Sequence, residues 1–119
     1  MVTVTADDVR AIALSLPRAY EALVRDRVKF RVGSLVFASL SPDETMLGFG
    51  YPKEEREALV AAEPEKYLLP LPSDMRYNWV RCRLSAVDLD ELEEIVAHSW
   101  RMCVPKKLWN GYLADRESR

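Results

Sequence analysis

Apolar and polar residues alternate along two stretches of this chain and recur at helical spacing along others. Val28, Phe30 and Val32 take one side of the first stretch. Arg25, Arg27, Lys29 and Arg31 take the other. A period of two predicts a strand over 25–32. Gly33-Ser34 is a two-residue hairpin signal, and residues 35–40 make the return strand. Ser41-Pro42-Asp43-Glu44 reads as a turn with proline where a type I turn accepts it, followed by a third strand over 45–50. Residues 66–71 suggest another strand. Alternation returns over 77–84, where Val80, Cys82 and Leu84 face one way and Tyr77, Trp79, Arg81 and Arg83 face the other.

The helical segments carry their own punctuation. Thr5 and Asp8 form a capping pair ahead of Val9, Ile12, Ala13 and Leu16, and Pro17 ends that helix. Residues 18–24 read as a connector. Pro52 suits the first position of a second, acidic helix that ends at Pro64. Asp88 and Glu91 form another capping pair, and Leu89, Leu92, Ile95, Val96, Ser99, Met102 and Cys103 trace a buried stripe up to Pro105. A last helix runs from Lys106 to about Arg116, with Leu108, Trp109, Tyr112 and Leu113 as its apolar contacts. The order α-β-β-β-α-β-β-α-α, with short turns between strands, predicts an α+β fold. Its antiparallel sheet has about five strands, with helices packed on it.

A two-residue loop at 33–34 sets the expected register. Val32 then faces Leu35, Phe30 faces Phe37 and Val28 faces Ser39 on the core side, so Phe30, Phe37 and Val80 are expected inside. Arg31 faces Val36, Lys29 faces Ala38 and Arg27 faces Leu40 on the other side. The turn at 41–44 adds Thr45, Leu47 and Phe49 there. Val36, Ala38, Leu40, Leu47 and Phe49 would form an apolar strip beside a basic row. Either the last helix covers that strip or it meets a ligand or a second copy of the chain as a homodimer.

Composition narrows the setting. At 119 residues, 49% hydrophobic and 30% charged, the chain is expected to form one domain, 1–119, with a core of its own. Nothing approaches the ~20 apolar residues of a bilayer span. No basic stretch leads into an apolar signal core, so a cytoplasmic protein with no membrane partner is expected. Seventeen basic against nineteen acidic residues give a net charge of −2, so any nucleic-acid role must rest on segregated charge.

Little points to catalysis. Cys82 and Cys103 have no metal-ligand spacing and read as small buried hydrophobes; His98 stands alone in a helix. Gly48-Phe49-Gly50 is not a phosphate loop. No enzyme activity, catalytic residue, metal or cofactor is expected. What remains is basic and aromatic: Arg25, Arg27, Lys29 and Arg31 on one strand, Trp79, Arg81 and Arg83 with Tyr77 on another. Arg and Lys pair phosphates, and aromatic rings stack bases. The competing reading has these cations solvating a sheet edge and pairing with Asp26, Asp43 or Glu44.

Several segments together resemble the MmcQ/YjbR family. They are the run from Phe30 to Ala38, Pro52-Lys53-Glu54-Glu55-Arg56-Glu57-Ala58-Leu59, Trp79-Val80 with Arg83-Leu84, Asp88-Leu89-Asp90-Glu91-Leu92, and Ser99-Trp100-Arg101 through Pro105-Lys106-Lys107-Leu108. Members often carry a Trp- or Tyr-Gly-type segment before the first strand, where this chain has Leu23-Val24-Arg25-Asp26. The resemblance implies a compact α+β domain and a DNA-binding label resting on a proposed double-wing arrangement of hairpins. It brings no catalytic residues. The expected function is therefore nucleic-acid binding, with DNA held through phosphate contacts to Arg25, Arg27, Lys29, Arg31, Arg81 and Arg83 beside Trp79. The rivals are a protein-interaction or homodimerising module and, third, a small-molecule binding protein with Trp79 and Tyr77 lining a pocket.

Overall fold

The computed structural model describes residues 4–117, with side chains through Tyr112. The elements are α1 (Ala6–Ser15), β1 (Tyr20–Val24), β2 (Arg27–Val32), β3 (Leu35–Leu40), β4 (Met46–Gly50), α2 (Arg56–Ala62), β5 (Tyr67–Leu68), β6 (Trp79–Arg83), α3 (Leu89–Arg101) and α4 (Lys106–Glu117). Single 3-10 turns occupy Pro72–Asp74 and Leu84–Ala86. The strands form one antiparallel sheet in the order β1-β2-β3-β4-β6-β5, and the helices pack on it, which is the expected α+β class. Both capping boxes form: the Thr5 hydroxyl accepts from the Asp8 N–H, and the Asp88 carboxylate accepts from the Glu91 N–H at 2.8 Å.

The connector expected at 18–24 is a strand. β1 pairs with β2 from Tyr20↔Arg31 to Val24↔Arg27, so Arg25 and Asp26 are a two-residue hairpin turn rather than the start of β2. Both have positive φ, 52° and 67°, the signature of a type I′ turn. Such turns favour Asn-Gly, so Arg-Asp hides this one. The edge strand is also poorly patterned: Leu23 is exposed, and Glu21 turns toward α1, where Arg10 Nε donates to its carboxylate at 2.7 Å. At the next hairpin Gly33 alone has positive φ, as a type II′ turn requires. Pro52 precedes α2 instead of opening it; the Glu55 N–H donates to its carbonyl in a turn, and the helix starts at Arg56.

Register departs from expectation at one residue. Val32↔Leu35 and Arg31↔Val36 pair as anticipated, but the next pairs are Phe30↔Ala38 and Lys29↔Ser39. Phe37 is the extra residue of a β-bulge. Beyond it every side chain of β3 changes sides. Ala38 and Leu40 join Phe30 on the helix side, and pairing carries Leu47, Phe49, Val80 and Cys82 there too. All of these are fully buried or nearly so. The apolar strip expected on the second face therefore does not exist. Ala38, Leu40, Leu47 and Phe49 are core residues and offer no surface to a second copy. Phe30, Phe37 and Val80 are buried, as the alternation anticipates.

Nor does the last helix cover the second face. Leu108, Trp109 and Tyr112 pack against the main core, and the Tyr112 ring meets Trp100 edge-on at 5.2 Å. The side chain of Leu113 lies outside the described residues. α3 lies against β3 and β4 and buries Leu92, Val96, Ser99 and Trp100. Leu89 and Met102, expected in its stripe, are exposed instead. Trp100 takes the inward position, its indole N–H donating to the Pro17 carbonyl at 2.9 Å. Cys82 is buried among apolar neighbours, which pushes its thiol up to about 12, and burial raises the Cys103 thiol as well. No helix among the described residues is long and apolar enough to cross a membrane.

Ser99 joins this helix to the bulge. Its hydroxyl donates to the Phe37 carbonyl at 2.5 Å and accepts from the Gly50 N–H at 2.7 Å, with the side chain fully buried. A Cβ at Gly50 would come within 2.9 Å of that oxygen, so glycine is what lets β4 approach α3 here. Ser99→Ala strands a buried carbonyl and a buried amide. We expect it to lower stability by about 2–4 kcal/mol, read as a lower denaturant midpoint at unchanged slope. A near-neutral midpoint would show that the bulge holds without this bridge.

Candidate functional site

The second face of the sheet is built from the residues that alternation leaves outside. One row runs Lys29↔Ser39↔Gly48↔Arg81 across β2, β3, β4 and β6. The two basic strands therefore share a side but are not neighbours. They stand three inter-strand spacings apart, about 14 Å, with Ser39 and Gly48 between them. Small residues in the middle and long ones at the sides make a trough.

Trp79 deepens it. Paired opposite Gly50, its ring leans over Gly48, where a Cβ would lie 2.7 Å from the indole Nε1 and 2.9 Å from Cε2. Gly48 is thus the seat of the ring, not part of a phosphate loop. A loop from Leu69 to Asn78 closes the far side. The result is a cleft of about 760 Å³, within the range of small-ligand sites. Arg25, Arg27 and Lys29 form one wall, Ser39 lines the floor with Trp79, and Asp74 and Tyr77 form the other wall.

That loop is held by a residue whose sequence neighbours conceal its role. Arg56 sits in an acidic helix, yet it is only 6% exposed. Its Nη1 donates to the Tyr77 carbonyl at 2.9 Å, and its Nη2 donates to the Met75 carbonyl at 2.6 Å. The Lys53 N–H donates to Asn78 Oδ1 at 3.0 Å, and the Tyr51 N–H to the Asn78 carbonyl. A guanidinium binding carbonyls is a charge-assisted clasp. It sets the position of Tyr77 and Trp79.

The cations of the cleft form no salt bridge among the described residues. Among the described residues the salt bridges are Arg10 with Asp7 and Glu21, and Lys66 with Glu63 and Glu91. None involves Arg25, Arg27, Lys29 or Arg31. Asp43, one suggested partner, accepts instead from Ser41 and Thr45 within its own turn, and those bonds lower its pKa. Two buried side-chain polar atoms of the described residues lack a partner, Ser39 Oγ and Arg31 Nε, and both belong to this face.

The structure brings Arg25, Arg27, Lys29 and Trp79 to one cleft, with Arg31 next along β2. Arg81 Nε donates to the Leu69 carbonyl at 2.9 Å and so supports the loop, while Arg83 is exposed two residues further along β6, away from the cleft. Sequence reasoning passed over Ser39, Gly48, Arg56 and Asp74; the only local signals were the glycine pair and a lone arginine among glutamates. On the helix side a second hollow of about 420 Å³ lies between Tyr51, Leu59 and Ile95, rimmed by Glu94 and Arg101. Arg101 is already stacked over the Trp109 ring at 4.1 Å.

Fold and site together define a small α+β domain with a basic, aromatic-edged cleft on the open face of its sheet. The chain belongs to the YjbR family, whose family model matches residues 14–102. Uncharacterized proteins of Mycobacterium tuberculosis and Mycobacterium bovis are 36% identical over 58 residues, 49% of this chain. The matched stretch spans 44% of the length of those relatives. The crystal structure of a Deinococcus radiodurans protein with a DUF419 domain superposes with a TM-score of 0.74 at 24% identity, over 88% of this chain and 82% of that one. At that identity it establishes a shared fold.

Arg56→Met keeps the stem but removes the donors. We expect a loss of about 2–3 kcal/mol and faster amide exchange confined to residues 75–79. Unchanged exchange there would mean the loop holds itself.

Proposed function

We propose that this domain is a non-catalytic nucleic-acid-binding module of the cytoplasm, with DNA as its partner. The observation that carries the reading is the wall of Arg25, Arg27 and Lys29, three cations without carboxylate partners facing an aromatic edge across one cleft. In an acidic chain this concentrates positive potential where a phosphate backbone would lie. The family's DNA-binding label and double-wing description agree with it, the β1–β2 hairpin serving as one wing. Phosphate contacts supply most of the affinity, and Tyr77 and Trp79 supply stacking.

The hairpin tip favours the same reading. Arg25 occupies a positive-φ position that Asn or Gly would take with less strain. Strained positions cluster where function demands a particular side chain.

Charge reversal tests the wall. Arg27→Glu with Lys29→Glu should weaken binding to DNA and lower the slope of log affinity against log salt by about one for each phosphate that is no longer neutralised. A parent that binds no nucleic acid at low salt, or a double variant that binds as the parent does, overturns the reading.

The tip is a separate test. Arg25→Asn should raise stability by up to about 1 kcal/mol while weakening DNA binding. A variant that binds fully would remove Arg25 from the site.

A further inference from the structure

We infer that the cleft takes one unpaired nucleotide, its phosphate on the β2 wall and its base against the loop wall, so that the domain selects single strands over duplexes. This rests on the nucleic-acid reading above and deepens it. Three observations lead to it. The first is polarity. The β2 wall is cationic, with Arg25, Arg27 and Lys29, whereas Asp74 and Tyr77 line the loop side. A bare anion would gain nothing from the acidic, aromatic wall. A ligand with phosphate at one end and a flat ring bearing N–H donors at the other satisfies both.

The second is the floor. Ser39 is only 6% exposed, lines the cleft, and has no partner for its hydroxyl. Buried hydroxyls are ordinarily bonded, so this one is an unmet hydrogen-bonding group at the floor. A duplex keeps its bases stacked and paired inside and offers mainly phosphates to a protein edge. It would touch the cations at the rim and leave Ser39 as it is. An unstacked base can enter.

The third is the stacking platform. Tyr77 is 51% exposed. Its ring carries the Arg76 guanidinium on one side at 4.8 Å, and Arg76 Nη2 donates to its hydroxyl at 2.7 Å. Its backbone carbonyl is held by Arg56. A ring braced from one side loses little freedom when a base covers the other.

The test compares three probes at low salt: a short oligothymidylate, the same strand annealed to oligoadenylate, and thymidine 5′-monophosphate. The parent should bind the single strand at least about tenfold more tightly than the duplex. Tyr77→Ala should cost about five- to a hundredfold on the single strand. Ser39→Ala, which removes only the hydroxyl, should cost about two- to tenfold. Neither should move duplex affinity. Equal or tighter duplex binding, or variants that affect both forms alike, overturns the unpaired-nucleotide inference and leaves the nucleic-acid reading standing. Binding of the monophosphate with neither polymer bound overturns the nucleic-acid reading and, with it, the selection of single strands. Binding of none of the three overturns both.

Discussion

The hydroxyl of Ser99 is the contact on which the architecture turns. One oxygen ties α3 to the Phe37 carbonyl of β3 and to the Gly50 amide of β4. A bulge leaves backbone groups outside the ladder, and buried groups of that kind need partners. With Ser99 supplying one, β3 carries its extra residue beneath a helix. The consequence reaches far beyond that point. Because side chains alternate with period two, one inserted residue decides that Ala38, Leu40, Leu47 and Phe49 face the helices. The same residue decides that Ser39 and Gly48 face the other way, onto the open side of the sheet.

The open face is shaped by what is missing from it as much as by what it carries. Gly48 has no side chain, so Trp79 lies flat across β4 and a trough remains between two basic strands. Arg56 then folds the 69–78 loop over the far side by binding carbonyls rather than a carboxylate. Its charge is spent on holding backbone, while Arg25, Arg27 and Lys29 keep theirs unpaired. Of the acidic residues nearby, Asp43 is engaged within its own turn and Glu21 with Arg10 on the helix side. A net charge of −2 is therefore compatible with a cationic cleft.

The helix side behaves as a conventional core. Trp100, Phe30, Phe37 and Leu92 are fully enclosed, and the indole of Trp100 finds a carbonyl at Pro17. Lys66 bridges Glu63 and Glu91, whose hydrogen bonds raise its pKa, and so ties the short β5 edge to the first turn of α3.

Local pattern was enough to determine the α+β class, the capped helices α1 and α3, the Gly33-Ser34 hairpin, and the row of cations along each of β2 and β6. Each depends on neighbours a few residues apart, whose periodicity and turn chemistry are written in order along the chain. The bulge decided that the two rows share a side. β1 escaped because its turn uses Arg25 and Asp26 at positive φ without the usual Asn-Gly signature. The bulge, the seat of Trp79 on Gly48 and the clasp of Arg56 were decided by tertiary structure alone. Ser99 and Phe37 are 62 positions apart, and Arg56 and Tyr77 are 21 apart. Nothing in the local spacing of either pair shows that they meet. Packing brought them together, and with them came the register that separates core from cleft.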